Sequence, residues 1–263
     1  SNVQAYFLSG NIGIGTTSPA HKLDVVGDVR VRGDLTAETL IISSSVTQLT
    51  TQFASGSTRF GDTQDDLHEF TGSLMISGAR IDINDGFLNT FLGPKAGISN
   101  TTGQQNIAVG RKAMMDNTVG SYNTVVGANA LENTTTATEN IAIGQEVMGG
   151  IQADIAIQDC VAIGSLAFKG NTGTTTDANG TIAIGHEALN DLLTGFGNIA
   201  IGFQALDVEK NGDRSTAIGY KALTNQNGVN GEVHNTAVGY TAGNNITTGI
   251  RNTIVGSESG DGG

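Results

Sequence analysis

Four histidines and one cysteine are the side chains of this chain best suited to act as base, nucleophile or metal ligand, and their spacing argues against those roles. His21, His68, His186 and His234 are far apart in sequence and none sits in an HExxH or similar ligand spacing. Each reads as a surface or turn histidine. Cys160 is the only cysteine, so one chain can form neither an internal disulfide nor a multi-cysteine metal site. No base is recognisable beside it, and a buried structural thiol is expected. Asp62, Asp65, Asp66, His68 and Glu69 form an acidic cluster without EF-hand spacing, expected to be a solvated loop. GNIGIG at 10–15 has the glycines of a phosphate loop but lacks its lysine and any βαβ context, so it reads as a turn signal. No catalytic residue, metal site or cofactor is expected from these groups.

The elements around these residues are unusual in composition. The 263 residues include 38 glycines, 2 prolines and no tryptophan, which excludes both an ordinary bulky core and collagen. Hydrophobic residues make up 38%, too many and too periodic for a disordered chain. The net charge of −12 is spread along the sequence without a basic run to neutralise phosphates, so nucleic acid is not an expected partner. No apolar run approaches the roughly 20 residues that span a bilayer as a helix, so membrane insertion is not expected.

Self-similarity organises the second part of the chain. A five-residue core recurs ten times: NTFLG at 89–93, NIAVG at 106–110, NTVVG at 123–127, NIAIG at 140–144, CVAIG at 160–164, TIAIG at 181–185, NIAIG at 198–202, STAIG at 215–219, NTAVG at 235–239 and NTIVG at 252–256. Its final glycines are Gly93, Gly110, Gly127, Gly144, Gly164, Gly185, Gly202, Gly219, Gly239 and Gly256. The step between them is constant except at three places, Gly144 to Gly164, Gly164 to Gly185 and Gly219 to Gly239, where it lengthens. The β-branched residues three before each glycine and, Leu92 apart, one before it predict a strand, and the glycine after them a turn that no Cβ would tolerate. The two β-branched positions share one face, expected to fill the coil interior. The intervening residue, Ala in seven copies, is expected to face a neighbouring sheet or a second subunit. Three residues after the glycine Ala recurs, usually followed by Leu, Met or Phe, a second inward anchor. The Asn column at 106, 123 and 140 predicts either a hydrogen-bonded ladder or a turn preference. The fold class is therefore all-β, a β-solenoid or β-roll of ten coils.

Seven residues before the core glycine a second glycine occurs at Gly103, Gly120, Gly195, Gly212 and Gly249, whereas the three longer steps carry Ile157, Ala178 and Glu232 there. The insertions thus share one corner, and their loops, 149–159, 169–180 and 224–234, are expected to emerge along one edge. Gln152, Asp154, Asn171, Asp177, Asn227 and Glu232 are the candidate receptor-facing residues of that edge. Drift in tolerant corners is the alternative.

Residues 1–85 lack this period and read as a β-rich shaft segment, with 86–263 as the repeat domain. Within the shaft segment, Leu35, Thr39, Ile42, Val46, Leu49 and Phe53 follow steps of four and three, which fits a short coiled coil, although LIISSSVT fits a strand as well.

GNIGIGTTSPAHKLDVVGDV at 10–29 resembles a segment of bacteriophage tail fibres and tailspikes, and GSTRFGDTQDDLHEFTGSLMISG at 56–78 resembles a module of phage structural proteins. The NIAIG repeats are similar to those of trimeric autotransporter adhesin heads, although the period here is longer than is usual there. The resemblance implies a homotrimeric virion structural protein, a tail or head fibre that joins other fibre or baseplate proteins and mediates attachment to a host surface glycan or protein. It implies a location on the virion, and since no convergent acid, base or nucleophile is recognisable, no enzyme activity is expected. A bacterial cell-surface adhesin head is one alternative. A β-solenoid polysaccharide depolymerase is the other, for which Asp154, Asp159 and Asp177 near the inserts are the only carboxylates in support.

Overall fold

A computed structural model describes residues 10–32, 86–152, 155–170, 178–227 and 230–260. The chain divides into two compact units, Ser1–Met75 and Ile76–Gly263. Every regular element among the described residues is a strand: β1 Ile12–Ile14, β2 Leu23–Val25, β3 Thr90–Leu92, β4 Ile107–Val109, β5 Thr124–Val126, β6 Ile141–Ile143, β7 Val161–Ile163, β8 Ile182–Ile184, β9 Ile199–Ile201, β10 Gly212–Asp213, β11 Thr216–Ile218, β12 Gly231–Glu232, β13 Thr236–Val238 and β14 Thr253–Val255.

In the first unit β1 and β2 pair in parallel, Ile12 opposite Leu23. The GNIGIG segment is thus strand followed by turn, with Gly15 at φ +77° directly against the Val26 carbonyl. The side chains of Ile14, Leu23, Val26, Val29 and Val31 are all exposed. The coiled-coil pattern at 35–53 and the acidic cluster at 62–69 lie outside the described residues.

The second unit is a parallel β-solenoid. Its ten three-residue strands form one sheet in chain order, β3 to β9 followed by β11, β13 and β14, each one coil from the next. Register is kept between repeats: Ala142 pairs with Ala162, Ala162 with Ala183 and Ala183 with Ala200. The core glycines explain that strictness. Each has φ between +127° and +146°, and a Cβ placed on Gly93 or Gly164 would lie 2.6 Å from the carbonyl oxygen of the next glycine in the column. An L side chain fails there both in φ and in space.

The facing of the strands is the reverse of the expectation from sequence. Ala108, Ala142, Ala162, Ala183, Ala200, Ala217 and Ala237 are fully buried inside the coil, whereas the β-branched residues on either side point outward, with Ile107, Ile141 and Ile143 exposed. The second anchor explains why. Met114, Leu131, Met148, Phe168, Leu189, Leu206 and Leu223 all project into the coil and are fully buried, leaving room opposite them for a small side chain, Ala in most coils and Val125 in one. The terminal coils confirm this limit on volume. Phe91 and Ile254 replace Ala in the first and last strands, where the position four residues after the core glycine is Gly97 and Gly260 instead of a large residue, and Gly243 holds that position in the coil packed beneath Ile254. A Cβ on Gly243 or Gly260 would meet Ile254 Cδ1 at 3.0 Å.

The large anchors adopt a backbone that their side chains do not favour. Met114, Leu131, Leu189, Leu206 and Leu223 have φ near +50°, a left-handed conformation costing each roughly 1–2 kcal/mol. Hydrogen bonding between coils offsets that cost. The N–H of Lys112, also left-handed, donates back to Pro94 at 2.8 Å, and that of Met114 donates forward to Ala130 at 3.0 Å. Successive turn residues thus bond to both neighbouring coils.

Before each strand, Asn side chains close the coil. Asn106 Oδ1 accepts the N–H of Asn123, and Asn106 Nδ2 donates to the corner carbonyl of Gly120 at 2.9 Å. Asn89, Asn123, Asn140, Asn198 and Asn235 repeat both bonds. The Asn column is therefore a hydrogen-bonded ladder.

Candidate functional site

The position seven residues before the core glycine marks the corner where the longer coils carry their extra residues. The column itself continues through two of the longer coils, since Ile157 and Ala178 occupy it in buried positions. Ile157 keeps the usual role by accepting Asn140 Nδ2 at 2.9 Å. Within the third longer coil, β12 pairs in parallel with β10 of the coil before, forming a small second sheet at this corner.

Beside that sheet lies a depression of about 500 Å³, lined by Asn179, Thr194, Phe196, Asn211, Asp213 and Gly231. These residues come from four successive coils and flank the corner glycines Gly195 and Gly212. The corner leaves no room for a side chain at Gly212, where a Cβ would fall 2.6 Å from Val233 Cγ2. Asp213 is only 7% exposed, and its Oδ1 accepts the Phe196 N–H at 3.0 Å. Thr194 donates its hydroxyl to Asn211 Oδ1 at 3.0 Å, and Asn179 Oδ1 accepts the Gln158 N–H at 3.0 Å. Arg214 lies 4.5 Å from the Phe196 ring centroid and binds Glu232 at 2.8 Å.

A buried polar network supports this wall from inside. Glu209 is fully buried, and one of its oxygens accepts the N–H groups of Lys210, Asn211 and Gly212 at 2.9, 3.0 and 2.8 Å. Its other oxygen accepts Gln226 Nε2 at 2.8 Å, and Gln226 Oε1 accepts Asn235 Nδ2 at 2.8 Å. A carboxylate accepting this many donors is well suited to hold a loop in one conformation.

A second surface column follows the core glycine by one residue. His186, Phe203, Tyr220 and Tyr240 stack ring on ring, with centroids 5.2–5.4 Å apart and planes within 12°. Lys221 lies over Tyr220, and Gln204 donates to Glu187 at 2.7 Å beside the stack. Nearby, burial followed by the charges of Glu187 and Asp191 pushes the Asp207 carboxyl up to about 6, against the lowering effect of Lys221 and His186.

The structure brings together few of the residues singled out from sequence. Glu232 joins Arg214 at the corner and lies 3.6 Å from His234 Nε2. Asn227 is exposed and anchored through its N–H to Thr247, and Gln152 is exposed on its own insert. Asp154, Asn171 and Asp177 lie outside the described residues, as does His68, while Asp159 and His21 are exposed. Cys160 is buried, and desolvation pushes its thiol up to about 11, which suits a structural thiol and not a nucleophile. The depression and the aromatic stack were both missed in the sequence. The stack was legible there, since each ring follows a core glycine; the depression was not, because its lining alternates around a second glycine whose corner geometry is set by neighbouring coils. No helix of the described residues is long and apolar enough to cross a membrane, and no group of three or more His, Cys, Asp or Glu among them could hold a metal ion. No protein-family model matches the chain, and neither a curated protein nor a solved structure matches it, so the repeat architecture stands on its own geometry.

Proposed function

We propose that this chain is a non-catalytic display segment of a homotrimeric surface fibre, a virion tail or head fibre that joins other fibre or baseplate proteins and presents the inserted corner to a host-surface glycan or protein. One observation carries the reading. A column of β-branched side chains runs along the outside of the ten-stranded sheet, and the chain itself leaves Ile107, Val126, Ile141, Ile143 and Ile218 open to solvent. A continuous apolar strip on a regular surface favours association. Because every coil repeats the strip in register, contact with identical copies extends along the whole sheet, and a closed ring leaves no strip uncovered. Three copies present three inserted corners, which raises avidity without tightening any one contact.

Light scattering on the full chain tests the association. A mass three times the 26.9 kDa monomer is the expected result. A stable monomer would overturn the trimeric fibre.

A further inference from the structure

We propose that the depression at the inserted corner is a binding site for a neutral pyranose unit of a glycan, with Phe196 as its apolar platform and Asn179, Asn211 and Asp213 as its hydroxyl ligands. The inference rests on the attachment reading above and deepens it by naming the ligand class at that edge.

Three features of the lining select this chemistry. The amides are oriented, since Asn179 Oδ1 accepts the Gln158 N–H and Asn211 Oδ1 accepts the Thr194 hydroxyl. Both Nδ2 groups are thereby left as donors on the wall, with no protein partner among the described residues. Asp213, more than nine-tenths buried, uses one oxygen for the Phe196 N–H and retains an acceptor. Two donors and an acceptor set around an aromatic ring match neighbouring sugar hydroxyls, each of which both donates and accepts, while the ring takes the C–H face.

Charge excludes the acidic sugars. Arg214, the nearest cation to the ring, is already paired with Glu232, and the lining itself carries the Asp213 carboxylate. An anionic ligand would meet a like charge with no free cation in the lining to compensate. The size also fits, because about 500 Å³ lies within the range of small-ligand sites and suits one or two sugar rings. The backbone under the site is held by Glu209 through the N–H groups of Asn211 and Gly212, so little ordering remains to be done on binding.

The test is saturation-transfer NMR on the full chain with the methyl glycosides of glucose, galactose and mannose, and with N-acetylneuraminic acid as the anionic comparison. At least one neutral glycoside is expected to receive saturation and the anionic sugar none. Phe196→Ala and Asn211→Ala are each expected to weaken binding by about tenfold, with thermal melts near wild type, and Tyr240→Ala on the aromatic stack is expected to leave it unchanged. Absence of transfer to every neutral glycoside at its solubility limit, preference for the anionic sugar, or undiminished binding in both site variants would overturn the site. Failure here leaves the trimeric fibre standing on its mass; a monomer that still binds glycoside overturns the fibre and leaves the site.

Discussion

Asn106 holds Asn123 twice: its side-chain oxygen accepts both the backbone N–H of Asn123 at 3.0 Å and the side-chain Nδ2 of Asn123 at 2.9 Å. Asn123 in turn does the same for Asn140 and closes its own coil on the Ala137 carbonyl at 2.6 Å. Removing one rung leaves a buried N–H and a buried carbonyl unpaired. Asn123→Ala is expected to destabilise the solenoid by roughly 2–4 kcal/mol, measured by urea unfolding. The ladder lapses at Cys160 and Thr181, where Thr181 Oγ1 is buried without a hydrogen-bond partner. Cys160→Asn should therefore restore a rung and stabilise by about 1 kcal/mol.

The reversed facing of the strands makes two neighbouring positions respond differently. Ala142→Leu forces an isobutyl group into a coil already filled by Met148 and is expected to cost about 3 kcal/mol or more. Ile143→Lys lies on the outer face and should leave the circular dichroism of the chain intact while reducing its light-scattering mass from trimer to monomer. Equal stability losses at both positions would contradict the facing, and an unchanged mass for the lysine variant would contradict the proposed interface.

Gly127 has φ +146° and sits directly under the Gly144 carbonyl. Gly127→Ala is expected to lower stability by about 3 kcal/mol or more, by strain in φ and displacement of the adjoining coil together. Thermal unfolding followed at the β-sheet band checks this.

Cys160 should be inert in the native state. Burial pushes its thiol up to about 11, with Thr181 and Gly180 backbone N–H groups pulling the other way and Asp159 adding slightly to the rise. Little thiolate exists at mildly alkaline pH and little of the sulfur is reachable. A thiol-reactive disulfide reagent is expected to label the folded chain far more slowly than the urea-unfolded chain. Rapid native labelling would show that this coil opens locally.

Asp207 introduces a pH dependence of opposite sign to that of a salt-bridged carboxylate. Its carboxyl rises from 3.8 to about 6 on folding, so between those values the native state binds more protons than the unfolded state. Its contribution is full below pH 3.8 and is lost as pH rises through about 6. Asp207→Asn is expected to raise the melting temperature by roughly 2 °C at about pH 7.5, with a smaller effect near pH 4. An equal gain at both pH values would assign the effect to packing instead.

The architecture was legible because it depends on local constraints that repeat. A glycine recurring once per coil behind an Ile or Val, Leu92 apart, dictates a strand and a turn, whereas the Asn column ahead of the strand left a ladder and a turn preference open until its hydrogen bonds were seen. Position in a coil also revealed that Cys160 substitutes for an Asn and that the insertions gather at one corner. The aromatic stack was written just as plainly, at the residue after each of four core glycines.

Which face of the strand points inward was decided only in three dimensions. Alternation shows that Ala142 and its neighbours Ile141 and Ile143 lie on opposite faces, but it carries no sign. The sign is set by volume: Met, Leu or Phe enters seven of the ten coils from the turn, in a left-handed backbone that no propensity predicts for them, and the space left opposite accepts Ala or, once, Val. The depression at the corner has the same origin. Asn179, Phe196 and the pair Asn211 and Asp213 are distant in the chain and meet only because each coil returns it to the same corner one strand spacing further on. Residue types and their spacing were enough for the period and for the places where glycine is compulsory, since both follow from constraints inside one coil. Packing between successive coils set what faces in, what faces out and which polar groups converge.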